Sequence, residues 1–264
     1  MNKLSTQDAQ SSPNRLIWLA GFAGVGAILV FAFWLRWQYA TQVQLHVDEF
    51  TTLWAARQVQ EHGAPLMPSG VLYTRGLLSS YLVALAQQIA GDAPLVGRTL
   101  SILFGVAAVL TVFLVGRRGW TARVGWVAAV GLTLLPEIVV WSSRARFYSP
   151  LVFFALLMMW IAFVMTRPPS TAPADPHPAR WRIHLLFVLV FALALFSQEQ
   201  TILLYPPILL ALWVWRGWRY FLQPPALVTH LSVVGLMVLR FVIEQVGQPG
   251  YFGEMQTHKA YLRL

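Results

Sequence analysis

The sequence predicts an all-α protein that is embedded in a membrane as a bundle of transmembrane helices. Hydrophobic residues make up 57% of the 264-residue chain and charged residues only 11%, too little charge to cover a water-soluble domain. Several apolar stretches approach the ~20 residues that a helix needs to cross a bilayer. Because lipid offers backbone polar groups no other partner, helices are the structures that these stretches favour.

The net charge of +9 arises from basic residues in the short links between apolar stretches, not from one face of a fold. This distribution is typical of the positive-inside bias of membrane proteins, and it argues against a nucleic-acid partner. The chain has no cysteine, which excludes disulfides and thiolate metal ligands.

The first predicted span covers residues 16–37 and follows a polar segment, residues 1–15. Its apolar core is longer than that of a cleaved signal peptide, and the residues around Trp34 and Arg36 offer no small-residue cleavage site. We therefore expect an uncleaved first helix whose N-terminus lies in the cytoplasm.

The later apolar blocks cannot all cross the membrane without violating the charge bias. They cover residues 76–91, 99–116, 122–141, 147–165, 184–197, 201–215 and 226–243. If each one crossed, the basic clusters at 117–123, 167–182 and 216–219 would all lie outside. Placing Leu77–Ala90 as a helix in the outer interface moves all three clusters to the cytoplasm. About seven spans then remain by the length rule.

This topology divides the chain into a transmembrane module, residues 16–243, and an outer-face C-terminal segment, residues 244–264. The outer face collects residues 38–98, with the turns at 142–150 and 197–201. The proline-rich segment 168–178 is a connector on the cytoplasmic side.

The sharpest polar motif is His46-Val-Asp48-Glu49, just past the first span. Phe50, Leu53 and Trp54 follow at helical spacing, so residues 48–63 are predicted to form an amphipathic helix on the membrane. Its start presents two adjacent carboxylates, and the helix N-terminus favours the ionised form of Asp48. The alternative is an ordinary helix cap with a solvated neighbour.

This motif and those after it resemble the GT-C glycosyltransferases, and most closely the branch of protein O-mannosyltransferases and aminoarabinose transferases. The resemblance covers most of residues 16–264 and concerns the N-terminal conserved module of that branch. The motifs that carry it are Asp48-Glu49, Tyr73-Thr-Arg75-Gly76, Gly97-Arg98 through Gly105 to Gly116-Arg-Arg118, and Ser143-Arg144-Ala-Arg146-Phe-Tyr148-Ser-Pro150.

The resemblance implies transfer of a sugar from a polyprenyl-phosphate carrier to an acceptor hydroxyl on the non-cytoplasmic face. Asp48 would be the catalytic base of an inverting displacement, and Glu49 would orient the acceptor or share a metal. Arg75 would bind the leaving carrier phosphate, and Arg144 and Arg146 would add to that site because an Arg fork binds two phosphate oxygens. The alternative for each Arg is a lipid headgroup contact.

Further substrate-site candidates are Tyr148, Glu199 and His258. Glu199 is a candidate because acidic groups near membrane depth are usually functional, although a hydrated helix end is the alternative. His46, Asp48 and His258 are the candidate ligands of a divalent metal. Relatives carry a second carboxylate at the position that Ser149 occupies here. The absence of that carboxylate argues against a bound metal, so no cofactor is assigned.

The leading hypothesis is therefore a glycosyltransferase module in a bacterial plasma (inner) membrane, with its active face outside. Its predicted partners are a polyprenyl-phosphate sugar donor and the bilayer. The alternative is a non-catalytic membrane subunit of the same descent, which packs against another membrane protein that supplies missing helices. The short chain and the absent carboxylate favour that alternative. A transporter ranks below both, because the apolar blocks lack a file of polar residues.

Overall fold

The computed structural model describes residues 12–167 and 177–247, with side chains from 19–167 and 181–247. These residues confirm the all-α prediction, since their only strand-like pairing is an isolated bridge between Leu66 and Leu72. His258 and most of the predicted segments 1–15, 168–178 and 244–264 lie outside them. The α-helices are α1 (Ser12–Gln42), α2 (Val47–His62), α3 (Leu77–Ala90), α4 (Pro94–Gly119), α5 (Ala122–Leu134), α6 (Pro136–Ser142), α7 (Tyr148–Thr166), α8 (His177–Ser197), α9 (Tyr205–Arg216) and α10 (Pro224–Gly247).

Four helices in the described part of the chain are long and apolar enough to cross a membrane. They are Leu19–Gln42 of α1, α4, α7 and α10, and the bent pair α5 and α6 would make a fifth. The multi-pass prediction is confirmed, but the predicted count of about seven is not reached. The apolar part of α8 is short, and a 3-10 turn over Glu199–Leu204 separates it from α9. With 12 residues, α9 is about 18 Å long and falls short of the ~30 Å hydrocarbon core.

The predicted span at 122–141 is broken at Leu135, where α5 and α6 meet at an angle of 64°. Pro136 has no N–H, so the Leu132 carbonyl loses its helical partner. Arg36 of α1 is fully buried and replaces it, with Nη2 donating to that carbonyl at 3.1 Å. Its Nε donates to Ser142 Oγ at 2.7 Å. Arg36 therefore stabilises the bend and fixes the start of the turn that follows α6.

The apolar core consists of two main clusters. The larger joins α7, α8, α9 and α10 around the fully buried Met158, Phe191 and Leu212. The second joins α1, α4 and α5, and here two backbones come close together. A Cβ on Gly116 of α4 would lie 2.7 Å from the Cα of Gly125 of α5. Small residues permit such close helix packing where lipid supplies no hydrophobic driving force.

The two helices before α4 match their predicted extents. Helix α2 begins at Val47, one residue before the predicted start, and ends at Gly63, whose φ of 75° suits glycine. Helix α3 has the predicted bounds, and its 14 residues span about 21 Å, too short to cross a bilayer. Ala56 of α2 packs on Val83 and Ala84 of α3. The orientation of both helices in the outer interface stays a prediction.

The described residues of the three basic links that were predicted to share a side contact one another or the same helix end. Trp120, in the first link, stacks on Phe163 with ring centroids 5.7 Å apart. Arg216, in the third, donates to the carbonyl of Arg167, in the second, at 2.7 Å. Because α4 and α7 run from this end to Asp48 and its surroundings, the outer-face candidates lie at the opposite end.

The α4–α5 contact predicts unequal effects of two alanine substitutions on the same helix. Gly125→Ala would place a Cβ 2.6 Å from the Phe113 carbonyl, so we expect a loss of about 1–3 kcal/mol of stability. Gly131→Ala meets open space and should stabilise α5 by up to ~1 kcal/mol through helix propensity. Thermal unfolding in detergent measures both, and equal Tm values for the two variants would contradict this packing.

Candidate active site

The two adjacent carboxylates at the start of α2, Asp48 and Glu49, point in different directions. His46 caps the helix, since its Nδ1 accepts from the Asp48 N–H at 3.3 Å. Glu49 completes a capping box by accepting from the His46 N–H at 2.9 Å. The cap is therefore His46 rather than Asp48. As a result Glu49 is fully buried, whereas the Asp48 side chain is 42% exposed.

Glu49 forms a two-point ion pair with Arg98 of α4. Its Oε1 and Oε2 each accept from the guanidinium, from Nε and Nη2, at 2.8 Å. Oε1 also accepts the backbone N–H of Ala145 at 2.9 Å. Burial raises the pKa of Glu49, but the hydrogen bonds from Arg98, His46 and Ala145 outweigh it and hold the pKa below its usual value. The carboxylate is ionised and both its oxygens are occupied.

The same Arg98 closes the end of α1, because its remaining N–H groups point at backbone carbonyls there. Nη1 donates to Ala40 and to Val43, the latter at 2.9 Å, and Nη2 donates to Gln44 at 3.1 Å. Ala40 is in the last turn of α1, whose carbonyls have no partner within the helix, and Val43 and Gln44 follow it directly. We did not predict Arg98 as a site residue. Its signal in the sequence was an Arg in an apolar helix, which needs a buried partner.

Arg146 lies beside Asp48 and is itself almost fully buried. Its Nη2 is 3.9 Å from Asp48 Oδ2, and its Nε is buried without a hydrogen-bond partner among the described residues. The Nη1 group faces four oxygens. They are the backbone oxygen of Asp48 at 2.8 Å and the hydroxyls of Thr51 at 3.1 Å, Thr52 at 3.2 Å and Tyr73 at 3.1 Å. Arg146 thereby joins α2, the 142–150 turn and the segment of Tyr73.

Arg144 and Tyr148 share one aromatic neighbour with His46. The Arg144 guanidinium lies over the Trp141 ring, 5.0 Å from its centroid, and Nη2 is 3.4 Å from the Tyr39 hydroxyl. Tyr148 meets the same ring edge-on at 4.8 Å, and His46 meets it at 5.9 Å. The Arg144 Nε is buried without a hydrogen-bond partner among the described residues, so the terminal N–H groups of this partly buried side chain are the ones that can reach an anion.

Arg75 is exposed and forms no hydrogen bond or ion pair with the described residues. It precedes Gly76, whose φ of 65° favours glycine. A side chain at Gly76 would collide with the ring of Phe147. Arg75 is therefore held next to the turn that carries Arg144 and Arg146.

Two hollows adjoin these residues. One is a cavity of about 180 Å³ between α4, α6 and α7, walled mainly by apolar side chains together with Trp141, Tyr148 and Ser149. The other is an open groove of about 410 Å³ that includes Thr51 and Trp54. Ser149 Oγ is buried and has no hydrogen-bond partner in the described chain.

Glu199 does not join the Asp48 cluster directly. Its Oε2 lies 3.3 Å from Nη2 of Arg240, a buried residue of α10 that the sequence analysis missed. The same Nη2 donates to the carbonyl of Thr74 at 3.0 Å, which connects Glu199 to the segment before Arg75. The sequence signal for Arg240 was a charged residue within the last apolar block, residues 226–243.

The described residues do not supply a metal-ligand set. His46 Nδ1 and Asp48 Oδ2 are 3.8 Å apart, but no three His, Asp or Glu side chains gather in the part of the chain that the structure describes. The third candidate, His258, lies outside it. The cation nearest Asp48 there is Arg146, at 3.9 Å.

A helical membrane bundle whose turns at one end bring an arginine to a carboxylate fits the class of GT-C membrane glycosyltransferases. A family model described as dolichyl-phosphate-mannose-protein mannosyltransferase matches residues 74–243, more than half of the chain, and the chain belongs to that family. The matched range contains Arg75, Arg144, Arg146, Tyr148 and Glu199, and begins after Asp48 and Glu49. Comparisons with curated proteins and with solved structures gave no match.

The Glu49–Arg98 pair predicts a large stability effect. Glu49→Gln leaves the buried Arg98 charge without its counter-ion, which should cost about 3–5 kcal/mol. The control is Glu61→Gln, which removes an exposed i,i+4 pair with Arg57 and should cost at most ~0.5 kcal/mol. Thermal unfolding of both variants in detergent measures the difference. Similar Tm values for the two would show that the pair is dispensable.

The pH dependence of stability follows from the same carboxylate. Because the pKa of Glu49 is lower in the folded than in the unfolded chain, its contribution is present above the unfolded pKa, about 4.3. It is lost as the pH falls through the folded value. We expect the wild-type Tm to drop on acidification below about pH 4, and Glu49→Gln to flatten this slope. Glu61→Gln should keep the wild-type slope, and an unchanged slope in Glu49→Gln would refute the assignment.

Proposed function

We propose that the protein is a glycosyltransferase that moves a sugar from a polyprenyl-phosphate carrier to an acceptor hydroxyl at the non-cytoplasmic face. The observation that carries this proposal is the partly exposed carboxylate of Asp48 beside the guanidinium of Arg146, 3.9 Å away. Arg144 lies over Trp141, which also contacts His46. Arg75 precedes Gly76, which packs on Phe147. The family description supports the donor class, since it names a sugar linked to a lipid phosphate.

Asp48 is the group suited to act as the base. The acceptor oxygen attacks the anomeric carbon while Asp48 takes the hydroxyl proton. The bond between that carbon and the phosphate oxygen breaks, its electron pair leaves with the carrier phosphate, and the configuration inverts. The Asp48 carboxylate is open to solvent, with Arg146 Nη2 3.9 Å from Oδ2. Glu49 is buried and fully hydrogen-bonded, so we assign it to positioning the start of α2.

The arginines supply the positive charge that the leaving phosphate needs. Arg75 is exposed with its donors unused, and Arg144 holds its guanidinium over the Trp141 ring, 5.0 Å from the centroid, with its terminal N–H groups left to bind phosphate. Such preorganised donors stabilise the negative charge that develops as the sugar leaves. The apolar cavity beside Trp141 and Tyr148 suits the first part of the carrier's hydrocarbon chain.

The proposed orientation places the Asp48 end of the bundle outside a bacterial plasma membrane. The opposite end carries Arg167 and Arg216 in contact, together with the link at 117–123, as the positive-inside rule expects of a cytoplasmic end. Helices α2 and α3 then lie in the outer interface. Their exposed apolar residues, among them Phe50, Trp54 and Ile89, support contact with lipid.

The base assignment is tested by sugar transfer in nanodiscs with polyprenyl-phosphate sugar donors. Asp48→Asn should lower kcat by about 10²–10⁴-fold, because it removes the general base. Its Tm should stay near wild type, since the side chain is partly exposed. Glu61→Gln, on the exposed face of α2, should leave activity unchanged.

Full activity in Asp48→Asn would overturn the mechanism. If the wild type transfers no sugar from a panel of such donors and co-purifies with another membrane complex, the alternative of a non-catalytic subunit would replace it.

A further inference from the structure

Arg240 lies near the outer end of α10 and is 2% exposed. Its guanidinium faces three oxygen atoms, which belong to Thr74, Glu199 and Glu244. Nη2 donates to the Thr74 carbonyl at 3.0 Å and lies 3.3 Å from Glu199 Oε2. Nη1 is 3.7 Å from Glu244 Oε2, one turn further along α10. A buried charge in an apolar helix needs polar partners of this kind, and the Thr74 carbonyl is one of them.

A second contact joins the end of α10 to the same segment. The Leu72 N–H donates to the Gly247 carbonyl at 3.0 Å, and a Cβ on Gly247 would lie 2.9 Å from the Leu72 side chain. Leu72 and Thr74 flank Tyr73. The hydroxyl of Tyr73 accepts from Arg146 Nη1 at 3.1 Å and lies 3.4 Å from Thr51 Oγ1. Helix α10 thus holds both neighbours of a residue that reaches the candidate site.

The segment between α2 and α3, residues 63–76, has little regular secondary structure to hold it in place. The bridge between Leu66 and Leu72 is made by two hydrogen bonds, from Tyr73 N–H to Pro65 and from Met67 N–H to Val71. Two tight-turn bonds, from Leu66 N–H to Ala64 and from Gly70 N–H to Met67, and one from the Trp54 indole to the Leu66 carbonyl add to these. Glycines with positive φ stand at 63, 70 and 76. Glycine-rich chain of this kind has many alternative conformations, so tertiary contacts must select one.

We propose that Arg240, held by Glu199 and Glu244, is a positioning residue for the segment 73–76. It fixes Tyr73 against Arg146 and directs Arg75 toward the carrier phosphate, and its link to catalysis rests on the function proposed above. A guanidinium suits this position because Nη2 contacts the Thr74 carbonyl and Glu199 while Nη1 faces Glu244, and an ammonium has no second nitrogen to divide these contacts. Glu199 and Glu244 are 30% and 41% exposed, so water can hydrate them when Arg240 is replaced.

The first test needs no activity and uses the absence of cysteine from the chain. A nitroxide spin label on Arg75→Cys is compared in the wild-type and Arg240→Met backgrounds. We expect a more mobile spectrum in Arg240→Met and an intermediate one in Arg240→Lys. The control label, on Arg57→Cys of α2, should not change. Identical spectra at position 75 in all three backgrounds would overturn the proposal.

The second test is a double-mutant cycle on donor transfer. Arg240→Met should raise the donor KM about tenfold, the value of one charge-assisted hydrogen bond, with a smaller change in kcat. In the Arg75→Ala background the same change should have little further effect, because both act through one contact. Fully multiplicative effects would overturn the proposal. If the wild type transfers no sugar, the proposed function fails, while the spin-label comparison still decides the role of Arg240.

Discussion

The ion pair between Glu49 and Arg98 is the interaction on which the candidate site depends. Through it the end of α1, the start of α2, the first turn of α4 and the backbone of Ala145 meet at one buried point. Burying two charges is costly unless their remaining donors and acceptors are satisfied. Here the backbone supplies those partners, so each of the four segments contributes a group that the buried pair requires. Their arrangement sets where Asp48, Arg144 and Arg146 lie.

The two carboxylates of the Asp-Glu motif have opposite environments because neighbouring residues of a helix point in different directions. Glu49 faces the bundle and is fully used in holding it together, whereas Asp48 faces solvent beside Arg146. Glu49 therefore holds the segments in place, and the adjacent Asp48 remains available for chemistry. A carboxylate suited to both tasks would need to be buried and open to an acceptor at once.

The sequence predicted those features of the fold that depend on local signals. Gly63 and Gly76 bound α2 and α3 as expected, and the all-helical membrane fold follows from composition. Residues whose roles depend on distant partners were missed, above all Arg98 and Arg240. The break at Pro136 was visible in the sequence, but apolar length alone predicted one continuous span there. The predicted count of about seven spans is not reached by the described helices, because a stretch can be apolar without forming one long helix.

The broken helix of α5 and α6 also bears on how the chain is assembled during synthesis. Helix α1 is synthesised before α5 and α6, and a long Arg side chain can keep its charged group in interfacial water until it has a partner. The Leu132 carbonyl that Pro136 leaves unpaired has its donor only where α5 and α6 are docked on α1. Docking of the broken helix on α1 thus satisfies a polar group of each element.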